Sequence, residues 1–552
     1  MPFALVPTLL LTLAAMLIAW LAVCSRRWNW WTRGVHALAD RRALTLAVVG
    51  VWGFATSATT AWYRPHFLIS PDEFCYLLAA DTFAQGRWTN PAPPEWKHFE
   101  THNTLVHPTY QAKYPPIQGL LLAVGQVTTG QPRVGVWLSM GLAAAAAAWC
   151  VYGLAAPRWG LIAGLLTAVH PMIHHFGIFS WTQAYWGGCG AFIGGCLLYG
   201  GWFRLERRRS WTDGIALGVG LLILANSRPY EGLLVSLPVL VVLVRWWLRR
   251  PTWAERAVVG PMLAVLLVGA GLMVTYWTAV TGSPGQMPYT LYEHKYSSIP
   301  LFWWNALKAP AEPECLPGWY AHLDQLAGPV YFAHYYPDGG INWPNAIKLM
   351  SEKLRANWYF FGQPWLLLML PAMMFGLHLR RGRLLLAGMV LVLAGLLGIV
   401  WLFPHYAAPM SGLVLAFALL GARVVRAGRP RIPFLNHFLW LGTGTLVVGL
   451  TLQMQIYEEL DLRPEPWYER RLEVEAWLRE QPGPHLVILT YGPKPDFRYD
   501  FVYNSANFAT APILFARSLG PERDVQLRAA FPTRRVWRVQ ADAPIVQVEP
   551  YP

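Results

Sequence analysis

Apolar runs of about 20 residues recur along almost the whole chain, and that is the length an α-helix needs to cross the hydrocarbon core of a bilayer. Such runs predict spans at 3–23, 43–63, 133–156, 158–176, 182–203, 213–226, 229–247, 256–280, 357–379, 384–402, 406–424 and 434–454, about twelve in all. Arg228-Pro229 makes the pair 213–226 and 229–247 the least regular, since it breaks what otherwise reads as one element. The 552 residues are 55% hydrophobic and only 13% charged, against about 25% charged in a soluble domain. A formal charge of +14 would suit nucleic acid, but the arginines stand in short clusters between apolar runs and form no single basic face. No nucleic-acid partner is expected.

The first run, FALVPTLLLTLAAMLIAWLAV, has no Lys or Arg before it, while Arg26, Arg27, Arg33, Arg41 and Arg42 follow it. That order argues against a cleaved signal peptide and for a retained helix with its N-terminus outside. The same asymmetry recurs in later connections: Arg204, Arg207, Arg208 and Arg209; Arg245, Arg249 and Arg250; Arg380, Arg381 and Arg383; Arg423, Arg426, Arg429 and Arg431. The positive-inside rule then puts 64–132, 281–356 and the tail on the outer face. In a bacterium this is a multi-pass protein of the inner (cytoplasmic) membrane with its polar loops in the periplasm. The six cysteines (24, 75, 150, 189, 196 and 315) show no CxxC pair and no metal-ligand spacing.

Two regions follow: a membrane body, 1–455, with outer loops 64–132 and 281–356, and a tail, 456–552. In the tail, PWYERRLEVEAWLREQ reads as helix, HLVILTY (485–491) as strand, NSANFATAPILFARSLG as helix, and RRVWRVQ and APIVQVEP as closing strands. That alternation predicts a small α/β periplasmic domain. The expected fold is therefore mainly α, polytopic, with this small α/β appendage.

Chemistry concentrates in 64–119. SPDEFCYLLAADTFAQG predicts a helix entered through Ser70-Pro71, with Asp72, Cys75, Tyr76 and Ala79 on one face. Asp72 and Glu73 in a first turn favour the positive end of the macrodipole. A carboxylate at a membrane surface is also a candidate general base. His98, Glu100 and His102 alternate, which in an extended chain places them on one side and within reach of a divalent metal, with His107 as a fourth ligand. The competing reading is a loop that satisfies its own backbone, and no cofactor is required. Lys113-Tyr114-Pro115-Pro116 fixes an extended entry into the next apolar stretch and holds Lys113 near the surface, as a point charge for phosphate or as a snorkelling lysine. Arg228 and His405 lie at other outer-face helix ends, and Arg228 either pairs with Glu231 or faces a phosphate. Tyr292 and Lys295 belong to an aromatic-rich stretch of the second loop, suited to sugar rings or to interfacial anchoring.

Taken together, these features resemble the GT-C class of membrane glycosyltransferases, in particular the protein O-mannosyltransferase and aminoarabinose (lipid A) transferase branch. Asp72-Glu73 matches that class's early acidic motif in place and type. Lys113-Tyr114-Pro115-Pro116 is similar to the Lys-Pro-Pro motif of the aminoarabinose branch, with one tyrosine inserted. The resemblance implies a polyprenyl-phosphate-linked sugar as donor and a hydroxyl of a periplasmic glycan, lipid or protein as acceptor. It further implies inversion with Asp72 as general base and Glu73 in support, the donor phosphate held by Lys113, Arg228 and His405, and substrate along Tyr76, His98, Glu100, His102, Tyr114, Tyr292 and Lys295. The alternatives are a transporter or flippase of lipid-linked sugars, which should show internal repeats and broken helices in matching halves, and a non-catalytic membrane scaffold.

Overall fold

In the computed structural model the described residues are 17, 29–63, 68, 71–170, 181–182, 184–249, 253–297, 300–305, 342–361, 364–401, 403–428, 466–492, 500–543 and 545–551. The protein is mainly helical. Six described helices are long and apolar enough to cross a membrane: Arg42–Trp62, Pro132–Leu154, Pro229–Arg249, Val258–Thr281, Arg380–Gly398 and His405–Gly428. They identify a multi-pass membrane protein. Apart from Leu17, the expected spans at 3–23 and 434–454 lie outside the described residues, and the expected 158–176 extends beyond them. Pro157–Ala168, Cys189–Leu205 and Trp211–Ala225 are apolar helices but shorter than a full crossing. Arg228-Pro229 does separate two helices. Trp211–Ala225 ends in a turn in which the Asn226 and Arg228 N–H groups return to the carbonyls of Leu222 and Leu224, and Pro229 opens the next helix.

The chain divides into two compact units. One comprises Met1–Pro65, Arg133–Gly271 and Met350–Asp461. Its helices approach closely where glycine removes the side chain. A Cβ on Gly141 would stand 2.5 Å from the Gly50 carbonyl oxygen, and one on Gly195 would collide with the Pro409 carbonyl. Small residues at helix contacts are the usual means of packing in lipid, where apolar surface alone gives no drive to associate.

The other unit comprises His66–Pro132, Leu272–Leu349 and Leu462–Pro552. Its centre is a four-stranded sheet in the order Ile513–Arg517, His485–Thr490, Arg535–Gln540, Val548–Pro550. The first three strands run parallel and the last is antiparallel. His485–Thr490 is buried on both faces, and its centre, Leu486–Leu489, is accordingly a continuous apolar run. Leu486 and Ile488 point to a core with Leu78, Phe99, Val106 and Tyr110 from the acidic loop. Val487 and Leu489 point the opposite way, to Val474 and Leu478 of the helix Pro466–Arg479. The expected helix through PILFARSLG is not formed. Ile513–Arg517 is a strand, because its apolar residues fill the parallel register beside His485–Leu489 and are buried there. The helix that follows is instead Pro521–Ala530, with Glu522 and Asp524 in its first turn.

Candidate active site

The acidic helix runs Pro71–Ala84, with Pro71 at its start and both Asp72 and Glu73 in the first turn. Cys75 and Ala79 are buried with Ala112, and Phe83 and Tyr114 pack against them, so the predicted face is the one turned inward. The next helix, Ile117–Thr129, lies close: a Cβ on Gly119 would stand 2.7 Å from that of Ala79. Between the two helices the chain makes a small antiparallel sheet of Asn90–Pro91, Thr109–Ala112 and Thr104–Leu105. This sheet brings Asn103 and Tyr114 back over the start of the acidic helix.

Asp72 is half-buried. Its Oδ1 accepts a short hydrogen bond from the Tyr114 hydroxyl and a second, of 3.1 Å, from the Asn103 side-chain amide. Desolvation first, then the Asp72 charge, pushes the Tyr114 phenol well above its ordinary pKa, so it remains a donor across the physiological range. The Tyr114 ring stacks on Tyr76 at 4.8 Å. Asn103 has φ +62, a left-handed conformation that asparagine tolerates. Its carbonyl accepts the Cys75 thiol at 2.6 Å and the Lys113 N–H at 3.1 Å, and its own N–H donates to the Tyr292 hydroxyl at 3.0 Å. Burial raises the Cys75 thiol to about 12, which leaves it a donor and not a nucleophile. Glu73 is buried, 1% exposed.

Lys113 is also buried, and its Nζ donates to Glu293 Oε1 at 2.8 Å. The ammonium lies 4.3 Å from the ring centre of Tyr292, 5.0 Å from that of Tyr289 and 5.4 Å from that of Tyr114. Three aromatic faces and one carboxylate therefore compensate its desolvation. Tyr289, Tyr292, Glu293 and Tyr296 come from one face of the helix Pro288–Tyr296, at i, i+3, i+4 and i+7. The same helix carries Lys295, which is buried beside Glu100.

His98, Glu100 and His102 are not gathered around a common point. His98 Nδ1 meets the Arg517 carbonyl at 2.7 Å, and its ring lies 3.8 Å from Asp524. Glu100 is 2% exposed, and burial raises it to about 8 against the Tyr296 hydrogen bond and the charges of Arg517, Lys97 and Lys295. His102, with its Nε2 buried, is lowered to about 4 by desolvation. His107 stacks on Trp96 at 4.9 Å. Among the described residues no group of three or more His, Cys, Asp or Glu side chains is placed to hold a metal ion. His98 turns to the C-terminal strand because the loop is packed on that sheet, which removes the extended conformation the metal reading required.

In the membrane unit the Arg228 guanidinium lies 4.1 Å from the ring centre of Tyr406, and the His405 ring stands 4.9 Å from the same tyrosine and 5.4 Å from Trp186. Arg228 and His405 are thus neighbours across one aromatic side chain. Asn103 and Glu293 join the site without belonging to any of its sequence motifs. The signal for Glu293 is its place on the tyrosine face of a helix; that for Asn103 is an asparagine one residue beyond His102, in a turn requiring positive φ.

No family model matches the chain, and no curated protein matches it. In fold it is similar to ArnT from Cupriavidus metallidurans bound to undecaprenyl phosphate, at 12% identity and TM-score 0.47 over 90% of this chain and 92% of that one. The apo state of that protein matches at 12% identity and TM-score 0.49, over 91% of this chain and 93% of that one. The Archaeoglobus fulgidus oligosaccharyltransferase tethered to an acceptor peptide matches at 10% identity and TM-score 0.48, over 90% of this chain and 69% of that one. These neighbours are GT-C glycosyltransferases.

Proposed function

We propose that the protein is a membrane glycosyltransferase that moves a sugar from a polyprenyl-phosphate donor to an acceptor hydroxyl on the periplasmic face of the bacterial inner membrane. The observation that carries this reading is the setting of Asp72: a half-buried carboxylate at a helix start, oriented through one oxygen by Tyr114 and Asn103, in the same loop as a buried, caged lysine. Asp72 takes the proton of the acceptor hydroxyl as its oxygen attacks the anomeric carbon. The new C–O bond forms as the bond to the phosphate oxygen breaks on the opposite side, so the configuration inverts. The polyprenyl phosphate departs with the electron pair. Lys113 supplies positive charge for that phosphate, and Glu73 supports the helix start from its buried position. Tyr76 and Tyr292 act in this scheme by holding Tyr114 and Asn103. The reading needs no metal.

The test is to incubate the purified full-length protein with a labelled polyprenyl-phosphate sugar. Transfer or slow hydrolysis is expected, and Asp72→Asn should lower both about 10³-fold while the protein stays folded and still binds the lipid. Binding without turnover by the unsubstituted protein would turn the assignment towards transport or scaffolding, and full activity in Asp72→Asn would remove Asp72 as the base.

A further inference from the structure

Four arginines meet at the C-terminal end of the helix Pro132–Leu154, all within the membrane unit. Arg207 and Arg423 both donate to the Leu154 carbonyl, at 3.1 and 2.6 Å. Arg381 reaches the Gly153 carbonyl at 3.4 Å, and the buried Arg204 donates to the Trp149 carbonyl. The last carbonyls of a helix lack intrahelical partners and carry partial negative charge, which explains why some cation is present. It does not explain four. Among the described residues the carboxylate in a salt bridge with them is Glu206, held by Arg381 at 2.9 Å; Asp213, whose charge also acts on Arg204, is itself paired with Arg208 at 3.1 Å, so positive charge remains in excess. They are close enough to act on one another: after burial, Arg381 and Arg423 are the largest causes of a lowered pKa at Arg207.

A second observation points the same way. The helix Arg380–Gly398 begins Arg380-Arg381-Gly382-Arg383, with no acidic residue in its first turn and no side-chain cap. Three cations there oppose the macrodipole, and a helix start so loaded is stabilised by an external anion. Arg207 and Arg423 each spend one of five guanidinium donors on Leu154, so planar, paired donation to phosphate oxygens remains open to them.

We propose that Arg207, Arg381 and Arg423 form a binding site for a phosphate-bearing anion, either a lipid headgroup or free phosphate, on the arginine-rich side of the membrane unit. The site is independent of the transfer chemistry proposed above.

The experiment compares thermal unfolding of the full-length protein in nanodiscs of phosphatidylcholine alone, in nanodiscs containing phosphatidylglycerol, and in detergent with inorganic phosphate. Phosphatidylglycerol should raise the Tm by several degrees and remain bound through delipidation. A matching rise with millimolar phosphate alone would identify the free anion as the ligand. In Arg207→Gln/Arg423→Gln the half-saturating anion concentration should rise at least tenfold, while Arg245→Gln/Arg249→Gln, with the same change of charge elsewhere, should keep the response. Should the double variant fail to fold, the exposed Arg207→Gln alone should show at least a threefold loss. No response to either anion, or an undiminished response in the Arg207 and Arg423 variants, overturns the proposal.

Discussion

Asp72 and Glu100 belong to the same loop and the same unit, yet their surroundings differ in kind. Asp72 is half-buried and accepts two hydrogen bonds on one oxygen. Glu100 is nearly sealed, and desolvation raises it to about 8 although Arg517, Lys97 and Lys295 all pull the other way. The cation with the largest pull is already committed: Arg517 pairs with Asp500 at 3.0 Å, both side chains buried. A cation whose charge is taken by another carboxylate compensates burial poorly, so Glu100 is protonated at neutral pH. The comparison teaches that access to solvent, and not the number of nearby cations, decides which carboxylate of this loop is available as a base.

The largest expected effect tests that division directly. Asp72→Asn should lower turnover about 10³-fold, the scale of a lost general base, while Glu100→Gln should leave turnover within about threefold of the unsubstituted protein. The reverse ranking in a transfer assay would exchange their roles. Next comes Tyr114→Phe, which keeps the stack on Tyr76 but removes a hydrogen bond to Asp72. A bond to a charged group contributes about 1.5–3 kcal/mol, or roughly 10- to 100-fold in rate, and the loss should fall on kcat with KM little changed. An equal loss in both parameters would make Tyr114 a binding residue. Asn103→Gly keeps the positive φ while deleting the longer of the two bonds, and about a tenfold loss in kcat is expected.

Much of this arrangement was legible in the sequence, because it follows from local rules. Proline and two acids marked the start of the acidic helix, and i, i+3, i+4 spacing gave the face on which Asp72, Cys75 and Tyr76 lie. Strand His485–Thr490 was evident within the β-type run HLVILTY (485–491), whose centre is wholly apolar. What could not be read came from pairings distant in sequence. Ile513–Arg517 looks helical alone and becomes a strand through its register with His485–Leu489. The same sheet receives Phe99 and Tyr110, and this is why His98, Glu100 and His102 take separate partners and form no metal centre. Lys113 found its counter-ion in Glu293 only because the second loop folds back as a helix.

The smallest effect is on stability, and it isolates Glu100 without reference to activity. Its pKa is about 8 in the folded protein against 4.5 for the free side chain. The folded state therefore holds a proton that the unfolded chain has released anywhere between those values. Stability from this group is fully present below pH 4.5 and is lost as pH rises through 8, at up to about 1.4 kcal/mol per pH unit. His102 acts in the opposite sense. Lowered to about 4 from 6.5, it costs stability as pH falls through that window, so the two contributions offset each other between about pH 4.5 and 6.5 and the loss due to Glu100 stands alone above that. Glu100→Gln keeps the shape and an acceptor for the Tyr296 hydroxyl but cannot ionise. Its Tm advantage over the unsubstituted protein should grow from pH 5 to pH 8 and then level off, while the acid-side loss due to His102 remains in both. A Tm difference independent of pH would mean that Glu100 is ionised in the folded protein, and the contrast with Asp72 would then rest on hydrogen bonding alone.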